Sequence, residues 1–577
     1  MEIGIVAVAA VVVLVGVSIL GGRIGVAAPL LLVVVGIGAG YLPFMPAIEV
    51  DPEIILLGVL PPLLYSAAVN VPLVDFRRNL RPVAGLSVLL VIFSAVIAGL
   101  LVHLVVPAIP LPVAIALGAV ISPTDAVAAT SIGKRLGMPD RLVSILEGES
   151  LVNDATSLVL LKTALAAVAG SFVFWDAAGS FAFSVAAAIV IGFVIGIITV
   201  WLRSKLNNPV YDTILSFVVP FIAFMPAEEV GASGVLAVVV TGLYTGHHAA
   251  RRFSATARMN ERLNWRTVQF ALENGVFLLM GLELHTLLDE VDDTDLQLAH
   301  VGLLSLGLVV LLILLRGIFM VPLIWTMRGD EGRYQQRSDG FSRILSRARK
   351  AEDTDTRKIR KLELLEQRSR ADLAHEQDQQ LGWRDGVLLS WSGMRGVVTL
   401  AAAQSIPTGV PYRAQIILIA FAVAVITLLL HGLSLPLFIR KLWPDGARTG
   451  SDVGELASLS HDLIEAANEA IDDALEIEED AKGPDNACAQ MSERARASAR
   501  NALAPIAIAL PATGAVMLPS SETPAQAYLR LARIALEAQR DALLEERAIG
   551  RYSSRALRAA ELALDAHEAR LNPPGGH

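Results

Sequence analysis

The sequence is short of charge and has almost no cysteine. Charged residues make up 18% of its 577 residues, whereas an average soluble protein has about 25%. Its only cysteine, Cys488, excludes an intrachain disulfide framework. The shortage of charge is uneven, because residues up to about 328 are mostly apolar runs, while 329–383 and 441–577 are rich in Arg, Glu, Asp and Ala. This distribution predicts a polytopic membrane protein with soluble appendages, and it gives no indication of a nucleic-acid partner.

Long apolar runs fill the first part of the chain. They are roughly 17–25 residues long, which is enough for a helix to cross the lipid bilayer. The run after Met1-Glu2 lacks the basic start of a signal peptide, so we expect a retained span there. We therefore predict an all-α polytopic fold with a transmembrane domain over 1–440, which includes a charged cytoplasmic loop at 329–383, and a helical cytoplasmic tail over 441–577. About thirteen spans are predicted, near 3–20, 24–42, 54–70, 83–106, 111–134, 142–170, 179–202, 210–225, 231–247, 267–288, 299–328, 385–407 and 412–440.

The connections between these spans alternate in charge. One set is basic, at Arg23, Arg77, Arg78, Arg81, Lys134, Arg135, Arg141, Arg203, Lys205 and 251–266. The other set is acidic or neutral, at Glu49, Asp51, Asp176, Glu228, Glu229 and 289–295, with Arg413 as its exception. A single basic loop is compatible with a solvated linker, but basic residues collect on the cytoplasmic side when the pattern repeats. The alternation predicts an N-terminus outside the cell membrane and a cytoplasmic tail.

The fifth predicted span contains Ser122-Pro123-Thr124-Asp125. Proline lacks an N–H group and disfavours helix at the residue before it. A break at membrane depth frees backbone carbonyls, and transporters use such breaks to hold coupling ions. The alternative is a kinked but dry helix in which Asp125 caps the break.

The sixth predicted span carries a polar stripe. Glu149 and Asn153 are four residues apart, as are Ser150 and Asp154, so these side chains share one helix face that lipid cannot cover. Asp154 can bind either a cation or a proton, which is the minimum that an exchanger needs. Oxygen ligands suited to a hard monovalent cation would come from Thr124, Asp125, Ser150 and Asp154.

Two arginines also lie inside apolar spans. Arg316 in span eleven needs an anion at that depth, and Glu149 is the candidate, because the pair would also fix the orientation of Asn153. The alternative is that Arg316 reaches an interface. In span twelve, Arg395 lies between two glycines, which predicts a second break whose exposed carbonyl ends Arg395 would offset. Its alternative role is an interfacial anchor. Spans five and twelve would then be matching broken helices of two inverted repeats.

These motifs resemble those of the monovalent cation–proton antiporter 1 family, the sodium–proton exchangers. The resemblance covers most of the membrane part, in the right order, and is closest to bacterial members with a long cytoplasmic tail. It rests on Leu60-Pro61-Pro62-Leu63-Leu64-Tyr65, Ser122-Pro123-Thr124-Asp125-Ala126-Val127, Gly148-Glu149-Ser150-Leu151-Val152-Asn153-Asp154-Ala155, Gly231-Ala232-Ser233-Gly234-Val235-Leu236-Ala237 and Gly393-Met394-Arg395-Gly396.

The resemblance implies a homodimer of thirteen-span protomers, each with an immobile dimerisation domain and a mobile core containing two crossing broken helices. It implies that Asp154 binds the cation, with further ligands from Thr124, Ser150 and, directly or through water, Asp125. Asn153, held by a Glu149–Arg316 pair, replaces the aspartate of the electrogenic branch, which implies electroneutral one-for-one exchange of Na⁺ for H⁺. Many family members carry an acid where this chain has Ser66, so the choice between Na⁺, K⁺ and Li⁺ stays open.

Three alternatives to Na⁺/H⁺ exchange remain from the sequence. The first is K⁺/H⁺ exchange at the same site. The second is an intramembrane enzyme that uses Asp125 and Asp154 as an acid–base pair, but neither aspartate has the Gly-x-Gly-Asp context of aspartyl intramembrane proteases. The third is a channel without proton coupling. We therefore expect a transporter that is not an enzyme and needs no cofactor.

The charged loop and the tail are predicted to be helical. The loop favours a solvated linker or helix pair, with a regulatory contact to the tail as the alternative. The tail shows helical stretches near 451–480 and 525–571 around a proline-containing apolar piece near 503–519. Its leucines recur every seven residues, which favours a small packed helical domain. These leucines are Leu529, Leu536 and Leu543, and then Leu557 and Leu564.

Overall fold

Helices make up the whole secondary structure of the described chain. The computed structural model describes residues 2–24, 28–42, 51–169, 174–206, 208–292, 298–327, 331–350, 356–378, 381–443, 449–482, 486–503 and 524–571, and these ranges contain no strand. Apolar segments in lipid must satisfy their backbone hydrogen bonds internally, and a helix does so within one segment. The predicted all-α polytopic fold is confirmed.

The first helices are α1 (Glu2–Ile24), α2 (Ala28–Gly40), α3 (Leu60–Asn70, after a π-helical turn at Ile54–Val59), α4 (Leu73–Arg78), α5 (Leu80–Ala84), α6 (Val91–Val105, after a π-helical turn at Gly85–Leu90), α7 (Leu111–Ile121), α8 (Ala126–Leu136), α9 (Asp140–Ala169), α10 (Phe174–Arg203), α11 (Pro209–Glu229), α12 (Gly234–Arg252), α13 (Ala255–Asp292) and α14 (Leu298–Met327). The later helices are α15 (Glu331–Lys350), α16 (Thr356–Asp378), α17 (Trp383–Trp391), α18 (Val397–Gln404), α19 (Arg413–Leu442), α20 (Thr449–Lys482), α21 (Asn486–Leu503), α22 (Pro524–Ile549) and α23 (Ser554–Leu571).

The chain divides into two compact units. The first unit comprises Met1–His248, Glu261–Arg328 and Leu381–Gly446. The second comprises Ala249–Asn260, Gly329–Gln380 and Ala447–His577. The second unit therefore contains the tail, most of the predicted charged loop and also the short connection between α12 and α13.

Within the described residues of the first unit, seven helical segments are long and apolar enough to cross a membrane. Shorter apolar helices, including α2 and α7, accompany them, and the predicted total of thirteen spans stays a prediction. The seven segments are Leu80–Val105, Asp140–Val168, Gly179–Arg203, Pro209–Glu229, Ala255–Asp289, Leu298–Met327 and Arg413–Leu442.

The first unit contains two sets of packed helices. We call the set formed by α5–α9, α14 and α17–α19 the core bundle, because α6 packs on α7, α7 on α9, and α14 on α19. The contact between α6 and α7 is so close that a Cβ on Gly118 would lie 2.1 Å from the Ala95 carbonyl oxygen. Glycine is therefore required at this crossing.

We call the remaining set, α1–α3 and α10–α13, the flanking bundle. Here α10 packs on α11, α11 on α3, and α1 on α2. A Cβ on Gly242 of α12 would lie 2.6 Å from the Ala68 Cβ of α3, and Leu14, Leu32 and Leu278 form a small apolar cluster between α1, α2 and α13. The two bundles meet where α9 contacts α10 and α3, and where α18 contacts the π-helical turn before α3.

The two predicted breaks are present in the core bundle. The fifth predicted span divides into α7 and α8, with residues 122–125 between them. The twelfth divides into α17 and α18, with residues 392–396 between them. Proline at the first break and glycine at the second end the helices for the reasons given above. Whether the two halves are inverted repeats stays a prediction.

The second unit is a helical assembly of its own. α15 packs against α16, and α16 also packs against α22. Of the predicted heptad leucines, Leu536, Leu543, Leu557 and Leu564 join one buried cluster, whereas Leu529 is 37% exposed. The stretch predicted over 525–571 divides into α22 and α23 at Gly550, which adopts a left-handed φ of 76°. The predicted apolar piece near 503–519 lies, except for its first residue, outside the described residues.

Candidate functional site

The two broken helices cross at their breaks. The backbone N–H of Asp125 donates to the Met394 carbonyl over 2.7 Å. A Cβ on Gly396 would lie 2.0 Å from the Asp125 Oδ2 atom, so only glycine admits the carboxylate at this point. The crossing brings four half-helix ends together in the core bundle, next to α9.

The polar groups freed by the breaks have specific partners. The Asp125 Oδ1 atom accepts a 2.8 Å hydrogen bond from the Val127 N–H and so caps α8. Arg395 donates from Nε to the Ile121 carbonyl at the end of α7 over 3.0 Å, and from Nη1 to the Gly393 carbonyl over 2.6 Å. Arg395 is 3% exposed, so its charge lies against the carbonyl ends of both broken helices.

A buried network connects α9 to the first break and to α14. Arg316 holds Glu149 with two hydrogen bonds, Nη1 to Oε1 at 2.5 Å and Nη2 to Oε2 at 2.9 Å. The Thr124 hydroxyl donates to the same Glu149 carboxylate over 2.7 Å. Both charged side chains are almost fully buried, so each depends on the other for charge compensation.

Asn153 extends this network towards the break. Its Nδ2 group donates to the Thr124 carbonyl at 3.0 Å and to the Thr124 hydroxyl oxygen at 3.2 Å. Since a backbone carbonyl only accepts, these contacts fix which end of the amide is the oxygen. The Asn153 Oδ1 atom has no hydrogen-bond partner within the described chain. The side chains of Thr124, Glu149 and Asn153 therefore hold one another in fixed orientations.

Asp154 differs from its neighbours because it is buried without a partner. It is 7% exposed, and the described residues give it no hydrogen bond and no ion pair. The charges of Asp125 and Glu149 act on it from nearby. A buried carboxylate with no internal partner is costly, so this position favours an external cation or a proton. Ser150 lies one turn before Asp154 in α9 and is partly exposed.

The sequence reasoning missed several ionisable residues in the membrane part. Glu273 in α13 accepts a 2.7 Å hydrogen bond from Gln269, and its charge and that of Asp125 act on each other. Glu283, also in α13, accepts a hydrogen bond from Gln404 of α18, and Lys162 in α9 pairs with Glu228 of α11. The rule that singled out Arg316, an ionisable group inside an apolar span, applies equally to Lys162, Glu273 and Glu283.

Ser66, the position at which the sequence departs from the family pattern, is fully buried in α3. Its hydroxyl donates to the Leu63 carbonyl over 2.7 Å, a contact within its own helix.

Crossed half-helices at membrane depth, with a partnerless carboxylate beside them, are the architecture of ion-coupled secondary transporters. The model of the family described as "Sodium/hydrogen exchanger, transmembrane" matches residues 7–441. The chain belongs to this family, and it is a multi-pass membrane transporter of the cation–proton antiporter class, as the motifs predicted.

Individual proteins support the same assignment. An uncharacterised Na⁺/H⁺ exchanger of Mycobacterium tuberculosis is 29% identical over 463 residues, which cover 79% of this chain and 76% of the relative. A sodium, potassium, lithium and rubidium/H⁺ antiporter of Bacillus pumilus is 30% identical over 432 residues, covering 72% of this chain and 58% of the relative. The fold matches that of a sodium proton antiporter from Methanocaldococcus jannaschii with a TM-score of 0.57 at 17% identity, over 77% of this chain and 99% of that one.

Proposed function

We propose that the protein exchanges one Na⁺ for one H⁺ at Asp154, by alternating access. The observation that carries this proposal is the contrast within the site. Thr124, Glu149 and Asn153 are bound to one another or to Arg316, whereas Asp154 is buried without a partner in the described chain. Asp154 is therefore the carboxylate that can change its occupant, and cation and proton compete for it.

Charge counting supports electroneutral exchange. Arg316 compensates Glu149 directly, and Asn153 carries no charge. When a cation or a proton occupies Asp154, the loaded site has the same net charge in both crossing steps. One positive charge then moves in each direction per cycle, so the membrane potential does not drive the exchange.

The ligands proposed for the cation are Asp154, Ser150, Asp125 and Thr124. Because the Thr124 hydroxyl already donates to Glu149 and accepts from Asn153, Thr124 contributes an oxygen only if part of this network rearranges. The second candidate function is K⁺/H⁺ exchange at the same site, which the printed name of the Bacillus pumilus relative favours. Ser66 supplies no acid, and Glu273 supplies a carboxylate whose charge acts on Asp125.

We infer from the alternating loop charges that the protein spans the plasma membrane with its N-terminus outside and its tail in the cytoplasm. We also propose a homodimer, as the family resemblance implies. An observation in its favour is that only 17% of the apolar window Gly179–Arg203 is buried within this chain, which leaves an α10 face for lipid or a second copy.

The tail is proposed to regulate exchange. In the second unit, Arg258 at the start of α13 is 3% exposed and pairs with Asp565 of α23, which is 1% exposed. Arg540 of α22 also binds Asp565, at 3.0 Å. Residues Ala255–Asn260 of α13 belong to this unit, and the same helix carries Glu273 further along. We expect Asp565→Asn to change the pH dependence of exchange, whereas Asp541→Asn, at an exposed position of α22, should not. Equal profiles for both variants and the parent would refute the regulatory role.

Proteoliposomes test the main proposal. Internal pH is followed after addition of Na⁺, K⁺ or Li⁺, with and without an imposed voltage. A cation-driven pH change that is insensitive to voltage is expected, strongest with Na⁺, and Asp154→Asn should abolish it. A voltage-sensitive response would contradict electroneutrality, and a stronger response to K⁺ would favour the second candidate. Exchange that persists in Asp154→Asn would refute the site.

A further inference from the structure

Lys162 is a lysine within the long apolar part of α9. It lies eight residues after Asp154, or about 12 Å further along the helix. Its ammonium group pairs with the Glu228 carboxylate at the end of α11. The second Glu228 oxygen accepts a 2.8 Å hydrogen bond from the Gly234 N–H, which opens α12. Glu228 is thus fixed on the flanking bundle and holds a cation of the core bundle.

This ion pair is one of two polar connections between the bundles that follow from the contacts above. The other is the hydrogen bond from Gln404 of α18 to Glu283 of α13. In the proposed topology, both lie on the outer side of Asp154, because Glu228 adjoins an acidic loop and Gln404 ends the outward-running α18.

The inner side of the site is different. After Asp125, α8 exposes Val127 and Ser131 as it runs towards the basic loop that follows Leu136. The ion pair on this side, Lys134 with Glu147, joins α8 to α9 and so lies within the core bundle alone. The described contacts therefore close the outer side between the bundles and leave an exposed helix face on the inner side.

We propose that Lys162 and Glu228 form an outer gate, which is closed in this structure and must separate before Asp154 can reach the outer side. Alternating access moves one bundle past the other, so an ion pair between them cannot persist through the cycle. The side chains are 40% and 28% exposed, and a pair this accessible to water is weak enough to break in every cycle. The proposal rests on the antiport function given above and adds a defined closing contact to it.

Cross-linking tests whether the gate must open. In a Cys488→Ser background, Lys162→Cys with Glu228→Cys is joined by a short bifunctional thiosulfonate reagent, because two long side chains separate the backbones. The matched control is Lys134→Cys with Glu147→Cys, a Lys–Glu pair within one bundle. We expect loss of exchange with the first pair, recovery on reduction, and little change with the control. Undiminished exchange by fully cross-linked Lys162→Cys/Glu228→Cys protein would overturn the proposal.

A second measurement does not depend on transport. Leu158 lies in α9 between Asp154 and Lys162 and is 3% exposed. In the Cys488→Ser background, Leu158→Cys is labelled from outside with a membrane-impermeant maleimide. Adding Lys162→Met and Glu228→Gln should increase its labelling several-fold. Unchanged labelling would overturn the gate whether or not the parent exchanges Na⁺, whereas increased labelling without exchange would leave the gate standing and count against the antiport proposal.

Discussion

Glu149→Gln should destabilise the membrane domain strongly, because it leaves Arg316 buried without a counter-ion. The pair is bidentate, at 2.5 and 2.9 Å, and the two residues are 1% and 3% exposed. Removing one partner from a buried ion pair costs about 3–5 kcal/mol of unfolding free energy. Thr124 also loses its carboxylate acceptor. We expect the double substitution Glu149→Gln with Arg316→Met to recover part of this loss, because no uncompensated charge remains.

Lys134 and Glu147 provide the matched control. This pair also belongs to the core bundle, at 2.7 Å, but its side chains are 55% and 29% exposed. Lys134→Met should therefore cost only about 0.2–1 kcal/mol. The assay is equilibrium unfolding in mixed detergent micelles, followed by tryptophan fluorescence. If Glu149→Gln and Lys134→Met lowered the unfolding free energy equally, or if the double variant were less stable than Glu149→Gln, the inference of a buried clamp would be refuted.

Three further results are expected. Arg395→Met leaves two break carbonyls without their charged donor and should lower the unfolding free energy by about 1.5–3 kcal/mol, with partial recovery in Arg395→Lys; equal stability of all three proteins would contradict this. Glu273→Gln removes a negative charge that acts on Asp125, so the apparent KM for Na⁺ in proteoliposomes should rise several-fold at constant pH, and an unchanged KM would exclude a role for Glu273. Burial and the Arg570 guanidinium lower the pKa of His567, so unfolding takes up a proton and α23 loses stability as pH falls from about 6.5 towards that lower pKa; hydrogen exchange, corrected for intrinsic rates, should show this loss in the parent and not in His567→Gln.

Local sequence signals were sufficient to predict the breaks and the polar stripe. Pro123 and the glycines around Arg395 act on their own backbone, and the spacing of Glu149 and Asn153 is a property of one helix. These features need no knowledge of distant segments, so the crossing broken helices followed from the chain itself and from the family motifs.

Contacts between distant segments were harder to predict. Lys162 and Glu228 are separated by 66 positions, and no local pattern states which helices of the two bundles face each other. The pairing of Arg258 with Asp565 spans 307 positions and joins a loop to the tail. Arg316 and Glu149 were paired in advance only because a buried guanidinium demands an anion and few were present at that depth.

The most direct test of the account is proton release on cation binding. Purified protein in weakly buffered detergent solution is titrated with Na⁺, while calorimetry in buffers of different ionisation enthalpy counts the protons released. If cation and proton compete for Asp154 alone, the parent releases one proton per bound Na⁺ at a pH where the site is protonated, and Asp154→Asn releases none. Na⁺ binding without proton release, or release that persists in Asp154→Asn, would contradict the central claim.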